Sequence, residues 1–367
     1  MRAERQKIVI SAVNLVEGGT LSILQDCLAY AAGDLSKRFQ IIALVNQKSL
    51  FNFPQIDFIE FPHAKQSWFY RIYHEYWLFR TLSKKLNAEL WLSLHDMTPN
   101  VSAKRLAVYC HNPAPFYSLT LKEAWIEPIF WIFNLFYQWI YWINIKKNDY
   151  VIVQQHWMKF KFQSMFNLQN IVVAHPEVPK RPHSRIRLIK DKNFHSFLYP
   201  ALPRVFKNFE VICEASKKLI EQGVKNFEVI MTIDGSENRY AKSIVKRYNN
   251  ISQLKFIGRQ NRKKIYDLYQ SIDYLVFPSK LETWGLPISE AKNFNLPILV
   301  ADCPYAHETI GRYKKVKFFD PSDVNSLHNV MKIAITKKIE FDKSHKYKML
   351  KPNTKNWEEL FSLMTKP

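Results

Sequence analysis

The stretch Pro278-Ser-Lys-Leu-Glu-Thr-Trp-Gly-Leu-Pro-Ile-Ser-Glu-Ala291 decides how this 367-residue chain is read. It follows an apolar run, Tyr274–Phe277, whose length and residue types predict a buried strand. Gly285 opens a turn, and Pro287 suits the first position of a helix. Glu282 then lies in the loop and Glu290 about one turn into the helix. Both can face one pocket, while the backbone N–H groups of Gly285 and Leu286 point at an anion. Carboxylates accept hydrogen bonds from hydroxyls, so the pair suits two sugar rings beside a bound diphosphate. A capped surface helix is the plainer alternative.

Working outward, apolar runs alternate with helical patterns along most of the chain. Strands are predicted near Ile8–Val13, Gln40–Val45, Ile56–Phe61, Glu89–Ser93, Leu106–Cys110, Tyr150–Val153 and Ile171–Ala174. A second set follows near Ser196–Tyr199, Glu228–Ile233, Leu254–Ile257, Tyr274–Phe277, Pro297–Ala301 and Val316–Phe319. Helical stretches between them, such as 21–32, 206–221 and 286–294, imply parallel α/β sheets. Thirteen strands exceed one comfortable sheet, so two doubly wound domains are expected. The boundary falls in the polar, proline-bearing stretch 176–193. The expected division is 1–180, a linker at 181–193, a second domain at 194–345 and a terminal segment at 346–367.

In open α/β sheets, ligands bind beyond the carboxyl ends of the strands. After the first strand come Gly18 and Gly19, which let a backbone approach a ligand at a helix N-terminus. An ordinary tight turn would look the same. After 106–110 comes His111, a group able to bond a sugar hydroxyl or to move a proton. A structural cap is the bland alternative. After 196–199 come Arg204 and Lys207, one bidentate and one point cation, before a helix; they suit a diphosphate. Gly235 and Gly258 follow the next two strands and fit either ligand loops or plain turns.

The chain carries 53 Lys and Arg against 32 Asp and Glu, a net charge of +21, which favours an anionic partner. Residues 1–183 hold +7 of that and residues 184–367 hold +14, so the second half is the better home for an anionic ligand. Only eight glycines occur, a deficit against the usual share of about 7%. Five of them fall just after predicted strands, and Gly33 and Gly223 fall where helices should end. The four cysteines form no metal-ligand spacing and no secretory signal is visible, which points to reduced thiols in a cytoplasmic protein. Residues 128–145 carry no charge in eighteen positions. Their Trp and Tyr content favours a membrane interface over a span. Within 125–147 the reading is therefore a helix in an anionic membrane surface or beside a lipid-linked acceptor, or else a buried aromatic helix.

With these motifs in order, the chain resembles the retaining, nucleotide-sugar-dependent glycosyltransferases of the GT-B fold, in the large family four (glycosyl transferases group 1). Glu282-x7-Glu290 within PSKLETWGLPISEA carries the resemblance. Gly18-Gly19, His111, Arg204 with Lys207, VIVQQHWMKFKF before the interdomain segment, and Asn356-Trp-Glu-Glu near the end follow in matching order. The resemblance implies two Rossmann-like domains facing a central cleft, with the donor in the second. It implies that Glu290 binds the donor ribose and that Glu282, Gly285 and Leu286 contact the donor sugar. Arg204 and Lys207 would stabilise the leaving diphosphate without a metal, and His111 would contact the donor sugar near the reacting carbon. Front-face attack needs no protein nucleophile, so the two-carboxylate logic of glycosidases does not apply. The implied donor is a UDP-, GDP- or ADP-linked hexose. The implied acceptor is a glycan or polyprenyl-linked glycan of bacterial surface polysaccharide synthesis, at the inner face of the cytoplasmic membrane. No metal or other cofactor is expected. Asn208 and Asn295 depart from the pattern, standing where glycine is common, and the spacing from Arg204 to Lys207 is short.

Two other readings compete. A relative of the same fold could epimerise or hydrolyse a nucleotide sugar. A nucleic-acid-binding protein would explain the charge, but no helix-turn-helix, RNA-recognition or zinc-finger pattern is present, and no nucleic acid is expected as a partner.

Overall fold

A computed structural model describes residues 5–177, 193–337, 339–343 and 347–366. The linker expected at 181–193 lies outside these residues except for Asn193. The strands are β1 (Lys7–Ala12), β2 (Gln40–Val45), β3 (Ile56–Glu60), β4 (Ala88–Ser93), β5 (Ala103–Cys110), β6 (Tyr150–Val153) and β7 (Ile171–Ala174). They continue as β8 (His195–Tyr199), β9 (Phe227–Met231), β10 (Leu254–Phe256), β11 (Tyr274–Phe277), β12 (Ile298–Ala301), β13 (Val316–Phe319) and β14 (Asn353–Thr354). Each of the thirteen expected runs forms a strand, with ends shifted by up to three residues. The two-residue β14 has too little apolar content to be read from the sequence.

The strands form two parallel sheets, ordered β14-β7-β6-β5-β4-β1-β2-β3 and β10-β9-β8-β11-β12-β13. Runs such as Ile8–Val13 and Leu275–Phe277 are wholly buried, as expected for strands covered by helices on both faces. The core of the first sheet gathers Ile8, Ile10, Leu90, Leu92 and Ala107 with Leu24 and Leu28 of the helix Gly18–Tyr30 and with Leu360, Phe361 and Met364 of the helix Trp357–Thr365. Asn356 caps that last helix by accepting from the Glu359 N–H at 2.8 Å.

Two compact units result. The first is Met1–Phe116, Leu135–Glu177 and Met349–Pro367; the second is Tyr117–Asn134 and Val178–Lys348. Residues 117–134, placed by the sequence in the first domain, group with the second unit instead. In each sheet the strand order reverses beside the first strand of its unit, between β1 and β4 and between β8 and β11. Those two reversals are where a crevice opens for a ligand.

Gly33 is not a helix cap: it lies in a π-helical turn, Ala31–Leu35, that continues the first helix. Gly311, for which the pattern offered no role, ends the helix Pro304–Ile310.

Candidate active site

In the second unit, the loops after β8 and β11 flank the reversal in strand order. After β8, Arg204 leads into a single 3-10 turn, Val205–Lys207, and Asn208 joins this to the helix Phe209–Glu221. Asn208 has φ +58°, the left-handed region that glycine takes freely and asparagine tolerates better than most residues. Its side chain donates to the carbonyls of Pro321 at 2.8 Å and Pro278 at 3.3 Å. The departure at Asn208 therefore preserves the backbone that a glycine would supply. The same holds at Asn295, with φ +56°.

Lys207 donates from Nζ to the Glu282 carboxylate, and both side chains are mostly buried. The Lys207 carbonyl accepts from the Tyr199 phenol at 2.7 Å. Arg204 is half exposed and reaches Glu127 Oε1 at 3.3 Å, while Oε2 of Glu127 accepts from the Val205 N–H at 3.0 Å. Glu127 has no motif around it, and the sequence offered no signal for its part here.

The loop from Pro278 to Gly285 is held from inside. Trp284 is buried and donates to Ser289 Oγ at 2.9 Å. The Tyr305 phenol donates to the Ser279 carbonyl at 2.6 Å. Gly285 has φ +79°, and a Cβ there would meet Ile288 Cδ1 at 3.1 Å. Leu286 begins the helix Leu286–Asn293 with Pro287 behind it. Glu290, in the second turn, accepts from the Tyr269 phenol at 3.1 Å. Burial raises the Glu290 carboxyl above its ordinary range, and the Tyr269 bond partly offsets this.

Gly235 and Gly258 follow β9 and β10, the next strands along the sheet. A Cβ on Gly258 would lie 2.5 Å from Asp234 Oδ2, so these two loops touch here, and a side chain at 258 would push the Asp234 carboxylate aside. The second unit thus gathers Arg204, Lys207, Glu282, Gly285, Leu286 and Glu290 around one reversal, with Gly235 and Gly258 at its flank.

The first unit holds His111, Gly18 and Gly19. Gly18 and Gly19 open the helix after β1, with φ +68° at Gly18. His111 follows β5 and is buried, its ring stacked on Tyr109 at 4.5 Å. Nδ1 faces Gln154 Nε2 at 3.3 Å, and Nε2 has no hydrogen-bond partner among the described residues. Burial lowers the imidazole pKa, against the pull of Asp96. Asp96 itself, at φ +71°, accepts from the backbone of His111 and Asn112 and from the phenols of Tyr137 and Tyr141.

At the first unit's own strand reversal lies a buried cluster that motif reading passed over. His95, just past β4, sits 3.4 Å from Ser93 Oγ, 3.2 Å from Ser11 Oγ of β1 and 3.2 Å from Glu75. Arg71 donates to the His95 carbonyl at 2.7 Å. Burial pushes the Glu75 carboxyl up to about 8 and the His95 imidazole well down. Burial thus disfavours the charged form of both groups.

Residues 180–357 match the family of glycosyl transferases group 1. The match spans just under half of the chain, and it is this second half that resembles the family. The chain is 22% identical over 273 residues to the O-antigen chain mannosyltransferase RfbU of Salmonella typhimurium, covering 71% of the chain and 69% of the relative. Its fold is that of the lipopolysaccharide outer core galactosyltransferase WaaB, with a TM-score of 0.65, 12% identity and 90% of each chain covered. It also matches Anabaena Alr3699/HepE, solved in complex with UDP and glucose, with a TM-score of 0.62, 13% identity and 90% of each chain covered. The architecture is GT-B, two Rossmann-like parallel-sheet units. Among the described residues, no helix is long and apolar enough to cross a membrane.

Proposed function

We propose that this glycosyltransferase moves a hexose from a nucleoside-diphosphate sugar to a glycan or polyprenyl-linked glycan, with retention at the anomeric carbon. The observation that carries this reading is the gathering of Arg204, Lys207, Glu282 and Glu290 around the strand reversal between β8 and β11. Two cations suit a diphosphate, and two carboxylates suit hydroxyls on either side of it. In this reading Glu290 holds the donor ribose, and Glu282 with the backbone of Gly285 and Leu286 holds the donor sugar. Gly235 and Gly258 leave room for the nucleoside. As the glycosidic bond breaks, charge builds on the diphosphate, and Arg204 and Lys207 stabilise it in place of a metal. His111 contacts the donor sugar through Nε2. Gly18 and Gly19 open the backbone of the first unit to the substrates.

The likeness to an O-antigen chain mannosyltransferase and to a lipopolysaccharide outer core galactosyltransferase supports an acceptor in bacterial surface polysaccharide, and HepE with UDP and glucose supports a nucleotide donor. The reading also places the enzyme peripherally at the inner face of the cytoplasmic membrane. A thermal-shift panel of UDP, GDP, ADP and CMP identifies the base, because a ligand that binds only the folded chain raises its melting temperature. The Glu290→Ala variant should keep its fold, lose that shift and lose transfer; unchanged transfer overturns the assignment. Product analysis without acceptor separates transfer from hydrolysis or epimerisation.

A further inference from the structure

The helix Pro128–Trp142 is turned the wrong way round for a water-facing surface. Phe130, Asn134, Tyr137 and Tyr141, spaced four, three and four, form its buried stripe. Its polar groups are tied to backbone carbonyls: the buried Asn134 donates to Tyr117 at 2.7 Å, and Gln138, at the edge of the exposed face, donates to Pro115 at 3.2 Å. The outward face is apolar. Phe136, Trp139 and Trp142 are 61%, 64% and 61% exposed. An ordinary surface helix shows the opposite arrangement.

A second stretch in the first unit repeats the pattern. The helix Trp68–Tyr73 and the π-turn His74–Leu78 bury Arg71, His74 and Glu75 and expose Trp68, Phe69, Tyr73 and Trp77. Phe69 is 76% exposed. The two stretches brace adjacent residues, since Arg71 bonds His95 while Tyr137 and Tyr141 bond Asp96. Exposed apolar surface on this scale marks an interaction site.

The charges choose the partner. Residues 128–148 contain no acid, and the one acid in 61–88 is the buried Glu75. Exposed bases follow each aromatic stretch: Arg80, Lys84 and Lys85 after the first, Lys146 and Lys147 after the second. Trp and Tyr concentrate at the membrane–water boundary, and flanking Lys and Arg are drawn to anionic headgroups.

We propose that the exposed faces of 68–77 and 135–143, both in the first unit, together seat the enzyme on the headgroup layer of a bilayer rich in anionic lipid. This deepens the membrane placement proposed above and owes nothing to the donor assignment, since its test contains no nucleotide. Sugar transfer that fails while vesicle binding holds would remove the donor reading alone; vesicle binding that fails while transfer holds would remove this one.

The test uses the full chain with vesicles of phosphatidylcholine, alone and mixed with phosphatidylglycerol. Sedimentation should show binding roughly tenfold or more tighter to the mixed vesicles, weakened by salt. The triple variant Phe136→Ser, Trp139→Ser, Trp142→Ser and the double variant Phe69→Ser, Trp77→Ser should each lose most of it with an unchanged melting temperature. Lys146→Gln with Lys147→Gln should reduce the preference for anionic vesicles. Tryptophan quenching by brominated lipid in the unaltered protein keeps the test valid if a variant fails to fold. Absent quenching, equal binding to neutral vesicles, or undiminished binding by folded aromatic variants overturns the proposal. So does light scattering that shows a dimer abolished by those substitutions without vesicle binding, which would make the face a contact between copies.

Discussion

The Tyr141 phenol donates to Asp96 Oδ1 at 2.9 Å, and the same oxygen accepts the backbone N–H groups of His111 and Asn112. One carboxylate thus joins the aromatic helix to the loop that carries His111. Removing it breaks all four of these bonds at once, including the one from the His111 N–H, although the Tyr141 phenol and the Asn112 backbone still bond one another. Asp96→Ala should cost about 2–4 kcal/mol, since each unpaired buried group costs about 1–3 kcal/mol. Urea unfolding measures that loss. Tyr141→Phe removes the phenol's bonds to Asp96 and to the Asn112 backbone and should cost about 1–2 kcal/mol; if transfer depends on His111, kcat should fall in both variants more than KM rises.

Lys207 and Glu282 hold one another where the donor is proposed to sit. A bound diphosphate would compete for the Lys207 ammonium and free the carboxylate for a sugar hydroxyl. Lys207→Ala should weaken nucleotide binding and cut kcat, whereas Glu282→Gln should cut kcat with nucleoside diphosphate affinity largely kept. The double variant should show a coupling of about 0.5–3 kcal/mol in a thermodynamic cycle. Additive effects would mean that the pair plays no joint part in binding.

Burial raises the folded-state pKa of Glu75 from its ordinary 4.5 to about 8. Between those values the folded chain holds a proton that the unfolded chain has released. The stability tied to that proton is complete below about pH 4.5 and is lost as pH rises through about 8, at up to about 1.4 kcal/mol per pH unit. His95 acts from the other side: its lowered pKa adds stability above its ordinary 6.5, which is lost as pH falls. Glu75→Gln should therefore gain on the parent protein as pH is raised from 5 to about 8 in denaturation curves. A difference independent of pH would show that Glu75 does not hold the proton.

If Arg204 and Lys207 take the part of a metal, transfer should survive exhaustive chelation. Activity after EDTA treatment should match the untreated enzyme. Loss on chelation that magnesium or manganese restores would end this part of the reading.

The left-handed positions can be tested directly. Asn295→Gly should leave the melting temperature nearly unchanged, because glycine accepts φ +56° without strain. Asn295→Ala should cost about 1–2 kcal/mol for a side chain held in that region.

The thirteen apolar runs were legible because most of the strands are buried on both sides, which forces continuous Val, Ile, Leu and Phe; the edge strands β3, β10 and β13 are only partly buried. The carboxylate pair was legible because Gly285 and Pro287 fix where its helix begins. Glu127, Glu75 and His95 were not legible, since their importance comes from burial and from partners far away in the chain. The aromatic run at 128–145 was recognised, but two opposed readings fitted its composition. Its buried stripe fits the core reading, and its exposed aromatic face is what the membrane proposal rests on. The exposed face at 68–77 escaped notice because Arg71, His74 and Glu75 interrupt it with polar residues that turn inward.

Five asparagines and one aspartate, at positions 87, 144, 167, 208, 295 and 96, take up positive φ among the described residues. The chain's scarcity of glycine therefore has its consequence in the denatured ensemble. A glycine at any of these sites would relieve a local strain but would give the disordered chain more conformations to lose. Each such exchange is worth about 0.4–1 kcal/mol in unfolded-state freedom. A protein that bends its backbone with asparagine accepts a little discomfort when ordered in return for less disorder to overcome.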